Sequence, residues 1–281
     1  MLLKKLSNLS LCTQEITNRN TDVSIIIKNT EQIEKMRTAC RLAAEVLDYI
    51  EPFVQIGVST GELDRLCHNY MVDIQHTIPA TLGYGTPPYT KSSCISVNHV
   101  ICHGIPDDNQ ILKNGDILNI DITVIKDGFH GDTSRMYMIG NVSPHAQRLC
   151  KVTHECMMRA IEEIRPGATL GDMGYAAQHW AEEQGYSVVQ EFCGHGIGEG
   201  FHEAPQVLHY GRRGEGSILQ AGMIFTVEPM INQGKRHLRI LPDGWTVVTK
   251  DRSLSAQWEH TVLVTKTGYE ILTISPKYRQ P

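Results

Sequence analysis

The sequence predicts an α+β fold, a central antiparallel sheet flanked by helices, and three observations predict it. The first is a β-hairpin: Asn119 to Ile125 alternates apolar and polar, Lys126-Asp127-Gly128 is a turn signal, and Phe129 to Ile139 runs back. The second is a set of amphipathic stretches that begin at capping residues and read as helices. The third is a restart. Gly57-Val58-Ser59-Thr60-Gly61-Glu62-Leu63 lines up with Gly167-Ala168-Thr169-Leu170-Gly171-Asp172-Met173. Each run has a glycine, a small apolar residue, a hydroxyl N-cap and an acid at N3. The restart favours one domain, residues 23–281, built of two related halves (about 23–140 and 141–275), over two independent domains.

The elements follow in order. Asn29 caps the first helix and Gln32 is placed to close a capping box. Its apolar stripe is Ile33, Met36, Cys40, Ala43, Leu47 and Ile50, and Pro52 ends it. Ser59 with Glu62 forms a second capping box, opening a helix that runs to about Gln75. Strands are expected near 93–101 and in the hairpin. Ser143-Pro144 starts a third helix, with proline at its first position, continuing to about Ile164. Thr169 with Asp172 caps a fourth, which ends before Gly185. Further strands are expected near 187–192, 223–231, 245–249 and 257–264.

Composition narrows the function. The chain has 281 residues, 41% hydrophobic, with a formal net charge of -5. Without a basic patch there is no electrostatic case for a nucleic-acid binder. No apolar run approaches the roughly 20 residues of a membrane span. Residues 1–22 read as a polar, disordered extension: the apolar part is short, Ser7, Asn8 and Ser10 interrupt it, and no small-residue cleavage site follows. The eight cysteines form no C-x-x-C pair. With no export signal, free thiols in a reducing, cytoplasmic setting are expected.

The hairpin raises a chemical question. With Asp127-Gly128 as a two-residue turn, Thr123 faces Asp132 and Asp121 faces Ser134, all on one side of the hairpin. The carboxylates are then diagonal neighbours, roughly 7–8 Å apart. A turn at Lys126-Asp127 would set them directly opposite. Two converging like charges cost stability unless something offsets them. A solvated face or an arginine partner is the ordinary explanation; a shared cation is the other.

Other segments bear on the choice. His195 lies among glycines in "EFCGHGIGEGFHEAPQ", with His202 following; glycines permit close approach of a ligand. Glu228 interrupts the apolar "MIFTVEPMI", Glu259 interrupts "SAQWEHTVLV", and His103 ends a strand in "HVICHGIP". Singly, such a histidine is more often a hydrogen-bonded structural residue, and such a glutamate a buried, paired one. The set changes the balance. If Asp121, Asp132, His195, Glu228 and Glu259 converge, four carboxylates and an imidazole meet, and such a cluster is untenable bare. Two divalent cations balance the charge. Oxygen-rich ligation with one imidazole suits Mn, Fe, Co or Zn, whereas a structural zinc site prefers thiolates.

At these residues the chain resembles the methionine aminopeptidases of the shorter bacterial and organellar type. The resemblance runs from about Val23 to Ser275. It is carried by "CHGIP" at 102–106, "GDILNIDITVIKDGFHGDTSRM" at 115–136, "CGHGIGEGFHEAPQVLHY" at 193–210, "MIFTVEPMI" at 223–231 and "TKDRSLSAQWEHTV" at 249–262. It implies the pseudo-symmetric "pita-bread" fold of the creatinase and aminopeptidase group. It also implies an enzyme, a metallo-exopeptidase that removes the initiator methionine from nascent chains with a small second residue. Asp121 would chelate one metal, His195 and Glu228 the other, and Asp132 and Glu259 would bridge both. A hydroxide held between the metals would attack the first peptide carbonyl. Glu228 would also shuttle protons, His202 would hydrogen-bond the substrate carbonyl, and His103 would contact the scissile nitrogen. Tyr84, Cys94, Phe201 and Trp245 would line an apolar pocket for the methionine side chain, which suits a flexible thioether. Two features depart from the family pattern. Thr81 stands near a common cysteine position, and "LGYGTPPYTKSSC" is longer than the commonest bacterial form, which leaves the place of Tyr89 open.

Two rivals are a peptidase of the same fold that cuts Xaa-Pro bonds and a pseudo-peptidase that serves as a binding module. The first usually has a large extra N-terminal domain, for which this length leaves no room; the second usually loses metal ligands, and here all five positions are filled. The partners implied are the methionine terminus of nascent polypeptides and a transient contact with the ribosome. A cytoplasmic monomer, with no membrane or nucleic-acid partner, is the default expectation.

Overall fold

In the computed structural model, which describes residues 24–275 and Lys277, the first helix begins at the predicted cap. The predicted extension, residues 1–22, lies outside the described residues. Asn29 Oδ1 accepts from the Gln32 N–H and Gln32 Oε1 accepts from the Asn29 N–H, each at 3.0 Å, opening helix α1, Thr30–Ile50. Ala39, Leu42, Ala44 and Val46 are buried together with the predicted Met36, Cys40, Ala43, Leu47 and Ile50. The apolar face is wider than a simple stripe because α1 packs on both strands of the hairpin. Burying one side chain such as Leu47 contributes about 1.5–3 kcal/mol. At Gly131 the helix touches the hairpin backbone: a Cβ there would lie 2.2 Å from the carbonyl carbon of Ala39.

Helix α2, Thr60–Asn69, starts at Ser59, whose Oγ accepts from the Glu62 N–H at 3.0 Å. The predicted box is only half formed. Glu62 turns its carboxylate to Arg65, 2.6 Å away, rather than back to Ser59. The helix runs on through a π-type turn, Tyr70–Ile74. In the second half, α3 spans Pro144–Glu162 and α4 spans Leu170–Glu183, where the Thr169/Asp172 box is complete.

The hairpin takes the first of the two registers the sequence leaves open, with Asp127-Gly128 as the turn. After β1 (Ile78–Pro79), β2 (Cys94–Val97) and β3 (Val100–Cys102) come β4, Ile117–Lys126, and β5, Phe129–Met138. Thr123 pairs with Asp132 and Asp121 with Ser134. Asp127 and Gly128 both have positive φ, 50° and 81°, as a tight two-residue turn requires. Strand β4 has β5 on one edge and β2 and β1 on the other.

Several expected strands are broken. The 93–101 run divides into β2 and β3 at Asn98, which has a φ of 56°. The 187–192 run is reduced to β6, Ser187–Val188. Strand β7 is Gly194–Gly196 and β8 is Glu203–Val207. The 223–231 run splits into β9, Ile224–Val227, and β10, Met230–Asn232, with Glu228-Pro229 between them. Beyond β11 (Leu238–Ile240) and β12 (Val247–Thr249), the 257–264 run splits into β13, Ser255–Gln257, and β14, His260–Val264, with Trp258-Glu259 between them; β15 is Tyr269–Ile271. The three splits share one cause: the chain changes sheets. Strands β9 and β14 belong to a five-stranded sheet, β15-β14-β9-β7-β8, while β10 and β13 belong to β13-β10-β6. Pro229 has no N–H for either ladder.

Among the described residues all strand pairs are antiparallel. One core lies between the first two helices and β4, around Leu47, Leu63, Ile120 and Ile122. Another lies between α3, α4, β9 and β14, around Leu149, Met157, Phe225 and Val262. Alternation along β4 therefore turns Asp121 and Thr123 away from the first core.

The helix starts that resemble each other in sequence make the same backbone bonds. Gly57 N–H donates to Leu112 O at 2.9 Å, and Gly167 N–H to Leu219 O at 3.0 Å. Gly61 N–H reaches Asp107 O as Gly171 N–H reaches Glu215 O. Gly115 N–H and Gly222 N–H close onto Ile139 O and Val264 O. Gly61 and Gly171 are both sites of close approach, where a Cβ would come within 2.3 and 2.2 Å of Asp108 and of the Arg212 carbonyl. By this correspondence Asp121 stands as far beyond Leu112 as Glu228 stands beyond Leu219.

Candidate active site

Asp121, Asp132, His195, Glu228 and Glu259 line one cleft, together with His103 and His202. Each arrives from a different element. Asp121 and Asp132 come from the two strands of the hairpin, His195 from the middle of β7, and Glu228 and Glu259 from the two sheet-to-sheet breaks. The hairpin is stitched to the second sheet beside them. Thr133 Oγ1 donates to Glu259 O at 2.8 Å, Thr261 Oγ1 donates to Asp132 O at 2.7 Å, and Ser134 and Glu259 form a lone antiparallel bridge. His195 sits between glycines because β7 is pressed between neighbours. A Cβ at position 194 would lie 2.4 Å from Thr226 O, and one at position 196 would lie 2.1 Å from Ala204 O.

Donor atoms of Asp132, His195 and Glu259 lie within 4.8 Å of one another, and all three residues are buried. His195 Nε2 is 3.7 Å from Asp132 Oδ2 and 3.7 Å from Glu228 Oε1. That is too long for hydrogen bonds. It suits donors that each approach a common cation at about 2.0–2.2 Å. His195 Nδ1 lies 3.0 Å from Gly196 O, and a carbonyl can only accept, so the ring proton sits on Nδ1 and the Nε2 lone pair is free for a cation.

The electrostatics favour binding of a positive charge among these groups. Loss of hydration pushes Asp132 up to about 7. Asp121 and Glu259 are driven well above the ordinary carboxylate range, by burial first and then by the neighbouring carboxylates. Burial lowers His195 to about 4, so it is neutral at pH 7. Acids held this way, beside a neutral imidazole with its lone pair free, fit hard or borderline divalent cations. Further side chains orient the acids. Thr123 Oγ1 donates to Asp132 Oδ1 at 2.8 Å, Thr226 Oγ1 to Glu228 Oε1 at 2.7 Å, and Gln257 Nε2 to Glu228 Oε2 at 3.1 Å. The Glu228 N–H donates to Nε2 of His209, a buried histidine lowered to about 3.

The predicted pocket residues Tyr84, Cys94, Phe201 and Trp245 line the same cleft. Tyr84 Oη is 2.7 Å from His202 Nδ1, and its ring lies 4.9 Å from that of Phe201. Phe201 stacks on His202 at 4.3 Å. His103, with a φ of 55°, meets Phe192 and Trp245 edge-on and is lowered to about 4 by loss of hydration. His202 is neutral for the same reason, reinforced by His195, His103 and His130. Tyr89 also lines the cleft, edge-on to Trp245 at 5.2 Å, with its hydroxyl donating to Gly104 O at 2.9 Å. Sequence reasoning missed Phe192, Met230, Thr226, Gln257 and His209. A period-two signal was available for two of them: Thr226 and Gln257 each stand two residues before a predicted glutamate. Nothing local marked His209.

Fold and site together define a metallopeptidase, and the chain belongs to metallopeptidase family M24, which it matches over residues 34–266. Relatives of the chain at 52–58% identity are methionine aminopeptidases. It is 58% identical to the methionine aminopeptidase of Escherichia coli strain K12 over 252 residues, 90% of this chain and 95% of that one. Among solved structures, it resembles the methionine aminopeptidase of Rickettsia prowazekii with a TM-score of 0.87 at 54% identity, covering 89% of this chain and all of that one. It resembles that of Thermotoga maritima with a TM-score of 0.86 at 35% identity, covering 89% of this chain and 99% of that one. The expected pita-bread fold is the fold of this family.

Proposed function

We propose that the chain is a methionyl aminopeptidase that removes the initiator methionine from nascent proteins with a small second residue. The observation that carries it is the convergence of four carboxylates and one neutral imidazole beside an apolar, aromatic-walled cleft. Asp121, Asp132, His195, Glu228 and Glu259 would hold two divalent ions, of Co, Mn, Fe or Zn, with Asp132 and Glu259 shared between them. When bound, such ions lower the pKa of water and polarise a carbonyl.

The protein's own groups do the rest. Glu228, held at both oxygens, takes a proton from the attacking water and passes it toward the leaving amine. Tyr84 Oη lies 2.7 Å from His202 Nδ1; with the phenol as donor, the imidazole proton would stand on Nε2 and be offered to the substrate carbonyl, where negative charge develops. His103 contacts the scissile nitrogen. Tyr84, Cys94, Phe201 and Trp245 enclose the methionine side chain, and Tyr89 completes the wall.

The matched hydrogen bonds at the two helix starts support one peptidase domain over residues 23–281, in two related halves. No helix among the described residues is long and apolar enough to cross a membrane. A cytoplasmic monomer that meets nascent chains at the ribosome, with no direct nucleic-acid contact, completes the proposal.

The test is release of free methionine from Met-Ala-Ser by the purified chain with added Mn or Co, beside a chelator control and an Xaa-Pro peptide. Chelator-sensitive release from the methionine peptide alone is expected. Cleavage of the Xaa-Pro peptide alone would overturn the pocket and keep the metals. No release from either, by folded and metal-bound protein, would favour a binding module.

A further inference from the structure

Lys28 lies in the segment before α1, and its side chain is only 2% exposed. Its Nζ sits 2.5 Å from Oε2 of Glu203, itself 10% exposed. The backbone N–H of Lys28 is anchored to Gly222 O at 2.8 Å. A buried ion pair is weak evidence of stabilisation, because desolvating both charges offsets much of their attraction. What this pair touches is more informative.

Glu203 Oε1 accepts from the Gly200 N–H at 2.8 Å, and the Gly198 N–H donates to Gly200 O at 3.1 Å. Gly198 O in turn accepts from the backbone N–H of His130 at 2.8 Å, and His130 Nδ1 lies 3.1 Å from it. The lysine stem crosses Gly198 so closely that a Cβ there would lie 2.6 Å from both Cε and Nζ. The loop held in this way leads directly into Phe201 and His202. Phe201 is stacked on His130 on one side, at 5.5 Å and 16°, and on His202 on the other.

We propose that Lys28 and Glu203 are positioning residues: their ion pair clamps the Gly198–Gly200 backbone and so sets His202 and Phe201 against the substrate. The inference rests on the roles proposed for those two residues. It makes the segment ahead of the first helix part of the catalytic apparatus, although Lys28 touches no reacting atom.

The experiment is a double-mutant cycle. Lys28→Met in the metal-loaded chain lowers turnover of Met-Ala-Ser about tenfold to a hundredfold, as misplacement of a positioned group does. Metal content stays unchanged, and amide exchange at the Gly200 N–H becomes faster. The double variant Lys28→Met/His202→Ala loses much less than the product of the two single losses, because the clamp acts in part through His202. Gly198→Ala supplies a second route that keeps Lys28 and Glu203: its methyl displaces the lysine end, and it gives the same loss and the same non-additivity. It decides the matter if Lys28→Met does not fold. Unchanged turnover in these variants, or losses that multiply with that of His202→Ala, would overturn the clamp. Wild-type turnover in His202→Ala itself would instead overturn the assignment of His202, and the inference with it.

Discussion

Thr226 joins His195 to Glu228: its Oγ1 accepts from the His195 N–H at 3.0 Å and donates to Glu228 Oε1 at 2.7 Å. One hydroxyl thus fixes two proposed ligands from adjacent strands. Thr226→Val keeps the shape and removes both bonds. Metal affinity should fall roughly 10–100-fold, the usual cost of losing an outer-shell partner. A metal titration followed by calorimetry measures it, and wild-type affinity would show that the strand alone places these side chains.

Asp132 stands at the crossing of hairpin and sheet, held by Thr123 on its side chain and by Thr261 on its backbone. Asp132→Asn keeps the volume and removes the charge proposed to be shared by both cations. Turnover should vanish and bound metal should drop, read by elemental analysis beside the peptide assay. Substantial residual turnover would count against a dinuclear centre.

His202 shares the cleft but, by the proposal, holds no metal. His202→Ala should lower turnover roughly a hundredfold, within the range of a single proton-handling group, with metal content nearly unchanged. Loss of metal would show that the residue is a ligand after all.

Removing divalent metal with a chelator should abolish activity reversibly, and rebinding should depend on pH in a definite direction. In the metal-free centre Asp132 is raised to about 7, so below that pH it carries a proton a cation must displace. Asp121 and Glu259 are raised in the same direction, so apparent affinity should weaken steadily as pH falls from the alkaline side through 7. Calorimetry in two buffers of different ionisation enthalpy would detect the released protons. An affinity that is flat from pH 5 to 8 would exclude this linkage.

Much of this architecture is legible in the sequence. The convergence of Asp121 and Asp132 is legible because a two-residue turn at either Lys126-Asp127 or Asp127-Gly128 puts both carboxylates on one face; which of the two pairings forms is not. Helix starts are legible because Asn29, Ser59, Ser143 and Thr169 use local hydrogen bonds. The breaks at Glu228 and Glu259 are less so. Apolar residues continue on either side of each, and only the tertiary arrangement reveals that the chain is changing sheets there. The half-formed box at Ser59 has a similar origin: Arg65, a turn further on, competes for Glu62. His209 was invisible because its partner, the Glu228 N–H, comes from a distant segment.

The sheet changes at Glu228 and Glu259 bear on when the centre can exist during folding. Each glutamate is placed only after two sheets have closed around it, and the hairpin that brings Asp121 and Asp132 must already be docked against β14. Contacts between residues so distant in sequence are among the slowest to form. A partly folded chain therefore offers a cation no complete set of donors. Tight metal uptake by the proposed ligands would then be a late event, and its appearance during refolding would serve as a clock for the last step of assembly.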